Sequence, residues 1–196
     1  IAFSTKTVMG LNPSNASTLW SVDQPTQWGA NITTPVWDEK NKHLFISSAY
    51  GMGSRGVKLE KAGSQIAAKE AWFNPKMKIH HADAISLGDW IYGSSGDFGP
   101  AFLACVNSKT GEFGWRKRGV AKANVVYADG KIIAFDEDGA LYLVKADPTK
   151  YRLLGKATGL CKKTAWTVPT LVGRTLYLRD REKILALDLS DTQNSM

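Results

Sequence analysis

Apolar residues along this chain come in short β-branched and aromatic runs, each bounded by glycine, aspartate or asparagine. Residues 125–127, 131–135, 140–144, 175–178 and 184–187 are such runs, and each predicts a strand. No stretch keeps an apolar 3.6-residue period over helical length. The best helical candidate, residues 64–72, is short and follows Gly63, so it is read as the far end of a hairpin. The pattern predicts an all-β chain.

The runs repeat. Residues 83–93, 124–134 and 168–178 each read as a strand, a tight turn and a second strand. Gly88, Gly130 and Gly173 hold the turns, about 42 and 43 residues apart. Positive φ is cheap for glycine, which is why it marks these corners. Residues 34–46 form an earlier copy with a longer turn. A period of 40–50 residues with about four strands each is the mark of propeller blades.

A second mark falls at the blade ends. Cys105-Val-Asn-Ser-Lys-Thr-Gly-Glu-Phe-Gly-Trp115 reads as strand, turn, strand and tryptophan. The Asn107 side chain is suited to bond its own turn, and Gly111 to take a left-handed corner. Trp115 is expected to pack between neighbouring blades, where burying its ring is worth about 4–6 kcal/mol gross. A weaker copy keeps Asn12 and Trp20 at the same separation but lacks the Thr-Gly pair, and residues 186–188 begin a third.

These residues resemble the tryptophan-docking motif of quinoprotein propellers, Ala-x-Asp-x-x-Thr-Gly-x-x-x-Trp. Asn107, Thr110, Gly111 and Trp115 match it, with Asn for Asp and Cys105 for Ala. Residues 93–100, 127–131 and 176–180 are similar to stretches of bacterial PQQ-like propellers. That family includes the BamB-like outer-membrane assembly lipoproteins. The resemblance covers nearly the whole chain. It implies a β-propeller of four-stranded antiparallel blades, here a partial ring of about four to five where family rings have around eight. The expected segments are 1–27 (partial), 28–73, 74–118, 119–158 and 159–196 (partial). Ile1 is read as a cut inside a blade and Met196 as near a natural end, so the remaining blades of a parent chain are expected partners. An open ring leaves strand edges and apolar blade faces unpaired.

Charge and composition change this picture little. Net charge is +7, but Lys and Arg are scattered, and the triplet 116–118 reads as a solvated face rather than a nucleic-acid site. Cys105 and Cys161 form no CxxC pair and read as two buried thiols. No apolar run reaches the roughly 20 residues that span a bilayer.

Candidate chemistry is ranked by the fold. In a blade, the loop leading into the first strand and the loop joining the second to the third lie on one face. The leading loops carry Trp28, Asn31, His80, His81, Asp83, Lys122, Lys163 and Trp166. The other loops carry Tyr50, Arg55, Ser94, Ser95, Asp97, Asp136, Asp138 and Arg179. The densest group is His80, His81, Asp83, Ser94 and Asp97. It reads either as a proton-handling or metal-binding rim or, more simply, as a loop in which His81 or Asp83 ties Ser94 and Ser95. Residues 136–139 lack the later glutamate of a calcium loop and read as a tight polar turn. Asn15 and Asn31 begin N-x-S/T triplets, matches short enough to arise by chance.

A quinoprotein dehydrogenase, as the resemblance describes it, uses calcium or a lanthanide, a catalytic Asp and an adjacent cysteine pair. This sequence has no Cys-Cys pair and no Asp or Glu that matches the catalytic base, and no Gly-x-Ser-x-Gly elbow occurs. No cofactor and no metal ligand set is expected. The leading expectation is a non-catalytic binding or scaffold propeller of the bacterial periplasm or cell envelope with a protein or peptide partner. Tyr50, Arg55, Trp166 and Arg179 join the histidine group as candidate contact residues. The alternatives are a PQQ- or metal-dependent oxidoreductase and a carbohydrate binder that uses Trp28, Tyr50 and Trp166 as stacking platforms.

Overall fold

The computed structural model describes residues 1–63 and 65–190. Ser64 of the hairpin expectation and residues 191–196 of the last expected segment lie outside the described residues. Among them are five antiparallel sheets. The first contains β1 (Ala2–Phe3), β2 (Thr7–Leu11) and β3 (Thr18–Asp23). The second contains β4 (Val36–Asp38), β5 (His43–Ser48), β6 (Gly53–Ala62) and β7 (Gln65–Asn74). β8 (Ile85–Leu87), β9 (Trp90–Ser95), β10 (Phe102–Asn107) and β11 (Phe113–Arg118) build the third. β12 (Asn124–Ala128), β13 (Lys131–Phe135), β14 (Leu141–Lys145) and β15 (Leu153–Ala157) build the fourth. The fifth is β16 (Thr170–Val172), β17 (Thr175–Arg179) and β18 (Ile184–Asp188).

Each sheet is a meander in which strands pair with their chain neighbours. Short connections, with glycine turns at Gly88, Gly130 and Gly173, favour pairing of successive strands. The architecture is thus all-β, in propeller-like blades of three to four strands. The helical candidate is the strand β7, paired with β6 from Ala62↔Gln65 to Ser54↔Asn74.

Sheets stack because both faces of their inner strands are apolar. On β9 and β10, Ile91, Ala104 and Val106 pack toward the second sheet with Phe45, Met77 and Ile79. Their neighbours Tyr92, Leu103 and Cys105 pack toward the fourth with Val125, Ile132 and Val144. Side chains alternate along a strand, so an unbroken apolar run fills two interfaces at once. β13 repeats this: Ile132 and Ala134 face the third sheet, Ile133 and Phe135 the fifth. Burying each large aliphatic side chain is worth about 1.5–3 kcal/mol.

The docking residues then lock sheet to sheet. Asn107 Oδ1 accepts the amides of Lys109 and Thr110. Gly111 takes φ +72°. Trp115 donates its indole N–H to the Asp147 carbonyl of the next sheet at 2.8 Å. Asn12 Oδ1 likewise accepts the Ser14 amide, and Ala16 takes φ 56° at the corner where the full motif has glycine. Trp20 packs with Val8, Leu44, Ile46 and Val57. In the third copy, Asp188 Oδ1 accepts the Ser190 amide.

One docking residue escaped the motif. Trp72 donates its indole N–H to the Ser108 carbonyl at 2.8 Å, the same contact that Trp115 makes one sheet later. A methyl group on Gly56 of its own sheet would lie 2.2 Å from the Trp72 ring, and one on Gly111 of the next sheet 2.3 Å from it. The ring therefore fills the space that two glycines leave open.

Both cysteines are buried and unpaired. Burial pushes the Cys105 thiol up to about 12, so it stays protonated at neutral pH.

Candidate functional site

The loops into the first strands and the loops between second and third strands meet on one face. Six rings from three sheets form an unbroken path there. Phe98 meets Trp28 edge-on with centroids 5.5 Å apart, and Trp28 meets Tyr50 at 4.9 Å. Tyr50 meets His80 at 5.1 Å, and His80 meets His81 at 5.4 Å. His81 stacks on Trp166 at 4.5 Å with an interplanar angle of 27°. Edge-to-face and offset contacts of this kind are worth about 0.5–1.5 kcal/mol each beyond area burial. The ends of the path remain open: Phe98 is 72%, Trp28 59% and Trp166 44% exposed.

Polar groups beside the path are paired in ways that fix the loops. Asp97 accepts the amides of Tyr50 and Gly51, each at 2.9 Å, and pairs with Lys78 at 3.3 Å. Burial works against its charge, but these N–H donors and Lys78 hold its carboxyl below the ordinary range. The Tyr50 hydroxyl and His80 Nε2 share a 2.7 Å hydrogen bond. Trp166 donates its indole N–H to Glu137 Oε2 at 2.9 Å. Lys122 lies 4.0 Å from the other Glu137 oxygen.

Burial, the neighbouring His80 and Lys122 lower the His81 pKa to about 4, against the opposing pull of Glu137. Burial and Lys122 lower that of His80 as well. Both rings are neutral at pH 7, so the path carries no charge of its own.

The structure brings Tyr50, His80, His81, Asp97 and Trp166 together and sets other candidates apart. Asp83 accepts the Thr34 amide at 2.9 Å and joins the second sheet to the third. Ser94 is buried with no partner for its hydroxyl among the described residues. Ser95 accepts the Lys78 amide at 2.9 Å, so the backbone of Lys78, not His81 or Asp83, ties this loop. Arg55 binds Glu70 at 2.6 Å and lies over the Phe73 ring, on the outer strands of its sheet. Arg179 shares a cavity of about 240 Å³ with Trp166, Thr167 and Asp180. Asn31 spends its amide on the carbonyls of Ser4, Thr5 and Gln24.

Sequence reasoning missed Phe98 and Glu137. Both sit in loops between second and third strands, the positions that the repeat had already singled out. An exposed phenylalanine beside Asp97 was the available signal for one. The other gave none, since its partner Trp166 belongs to a different sheet.

The residues do not fit PQQ with calcium. Calcium takes 6–8 oxygen ligands, and the carboxylates on this face are engaged by protein. Asp136 accepts the amides of Asp138 and Ala140 and the Tyr142 hydroxyl. Among the described residues, no group of three or more His, Cys, Asp and Glu is placed to hold a metal ion. No helix among them is long and apolar enough to cross a membrane.

No family model matches the sequence, and no curated protein matches it. Among solved structures, BamB from Moraxella catarrhalis aligns with 98% of this chain at a TM-score of 0.51 and 15% identity. The chain spans 66% of that protein. At this identity the likeness shows a shared fold and carries no activity with it.

Proposed function

We propose that this chain is part of a non-catalytic, PQQ-like propeller of the bacterial cell envelope, which binds a protein or peptide partner on its loop face. The observation that carries the reading is the ring path from Phe98 to Trp166. It is aromatic, exposed at both ends and anchored by loops of three sheets. Exposed aromatic side chains on rigid loops are what binding surfaces are made of. The carboxylates beside it serve as loop anchors, and the two histidines are neutral, which suits contact better than proton transfer. The likeness to BamB supports the propeller-like fold, and the sequence motif supports kinship with the quinoprotein-like repeats, from which the scaffold role and the envelope location are inferred. Assembly of outer-membrane proteins is the specific task that this kinship brings forward.

The oxidoreductase alternative is tested directly. Titration of the intact protein with PQQ, with and without calcium, is expected to leave tryptophan fluorescence free of any saturable, calcium-dependent quenching. Trp28 and Trp166 lie on the face where the quinone would sit, so bound quinone would be seen. Saturable quenching that requires calcium would overturn the non-catalytic reading.

A further inference from the structure

Beside the ring path, a groove of about 490 Å³ opens between the second and third sheets, and its lining includes Lys76, Lys78, Asp97, Phe98, Phe102 and Arg116. Three cations face one carboxylate. Asp97 is taken by two amides and by Lys78. Lys76 and Arg116 have no carboxylate within 4.0 Å among the described residues. The groove is therefore net positive.

Arg116 is pre-oriented. Its guanidinium lies 4.8 Å from the Phe113 ring centroid and 5.9 Å from that of Phe102. Packing on rings fixes the guanidinium and leaves N–H donors free for a carboxylate. At the inner end, Phe98 joins this groove to the ring path, so charge and aromatic surface are continuous.

We propose that this groove takes an acidic, extended peptide segment of the partner, with a carboxylate on Arg116 and Lys76 and an aromatic side chain against Phe98 and Phe102. The proposal rests on the reading that the loop face binds protein. Charge complementarity selects the acidic segment, and Phe98 and Phe102 beside the cations offer a contact that an aromatic side chain of a peptide uses and a bare anionic headgroup does not.

The test is fluorescence anisotropy of the intact protein with a fluorescein-labelled hexapeptide of two glutamates and two phenylalanines flanked by glycine. Saturable binding is expected, weakening as salt rises. Arg116→Gln and Lys76→Gln, both at exposed positions, are each expected to weaken it about tenfold. The same peptide with glutamine for glutamate is expected to bind no better than those variants. Equal binding by wild type and Arg116→Gln, or no saturable binding, overturns the proposal. So does Arg116-dependent binding of phosphatidylglycerol vesicles without peptide binding, which assigns the groove to a lipid headgroup. If the peptide fails while a partner still crosslinks to the loop face, only the acidic segment is rejected. If both fail, the underlying reading goes with it.

Discussion

Trp72→Ala is expected to destabilise the protein by about 3–5 kcal/mol, the largest loss of any single substitution considered for this chain. The Trp72 ring lies between Gly56 of its own sheet and Gly111 of the next, and its N–H satisfies the Ser108 carbonyl. It also packs in one cluster with Phe45, Met77 and Ile91. Alanine leaves a cavity between two sheets, which cannot collapse because both are fixed by their own ladders, and it removes the indole donor. Gly111→Ala attacks the same contact from the other side. Its methyl would lie 2.3 Å from Trp72 Cε3, at a residue with φ +72°. A loss of about 1–3 kcal/mol is expected there. Trp28→Ala is the contrast: the ring is mostly exposed, and a change within about 1 kcal/mol is expected. Urea unfolding midpoints of the three variants check the order. A Trp72→Ala loss below that of Trp28→Ala would mean that the sheets are not joined through this ring.

The second large effect is in pH. The unfolded chain protonates His81 near 6.5, whereas the folded chain protonates it only near 4. Between these values the unfolded state binds more protons, so stability falls as pH falls through that window. The stabilisation is fully present above 6.5 and lost by about 4. Discounted for solvent screening of the partly exposed ring, it amounts to about 1–2 kcal/mol. The cause is burial first, then the charge that His80 would carry beside it. His81→Phe keeps a ring against Trp166 without a titrating group. Urea midpoints at neutral pH and at pH near 4.5 are expected to converge in this variant relative to wild type. Parallel loss of stability in both proteins would show that His81 is not the group that titrates.

The strand pattern was legible because both-face burial writes apolar runs between glycine turns, and these runs map onto β12 to β14 and β17 to β18. The docking turn at Asn107 was legible for a similar reason, since an Asx bond and a left-handed corner each need particular residue types. Trp72 was not. The β6–β7 hairpin is ten residues long on each side. It carries no Asn-x-x-Thr-Gly turn, so the tryptophan stands without its motif and its partner turn lies in another sheet.

Of the candidate site, the choice of loops was legible, and the contacts were not. His80 and His81 follow each other in sequence, but their partners Tyr50 and Trp166 come from sheets before and after. By sequence Asp83 groups with Asp97 in one polar cluster, although the two lie in different loops of the blade. It is instead drawn to the Thr34 amide, a bond that no spacing announces. Arg55 lies near the start of β6, where register with Phe73 turns its side chain to the ring and to Glu70 on the neighbouring edge strand β7.

The central claim is that the protein acts by holding a partner on the loop face. Site-specific photo-crosslinking in cells tests it most directly, with a photoreactive residue placed at Trp28, at Phe98 or at Leu154 of the intact protein. Leu154 is exposed on the outer strand of the fourth sheet and serves as the control. A discrete crosslinked protein from positions 28 and 98, absent from 154, is the predicted result. Crosslinking from 154 with none from 28 or 98 would contradict the account.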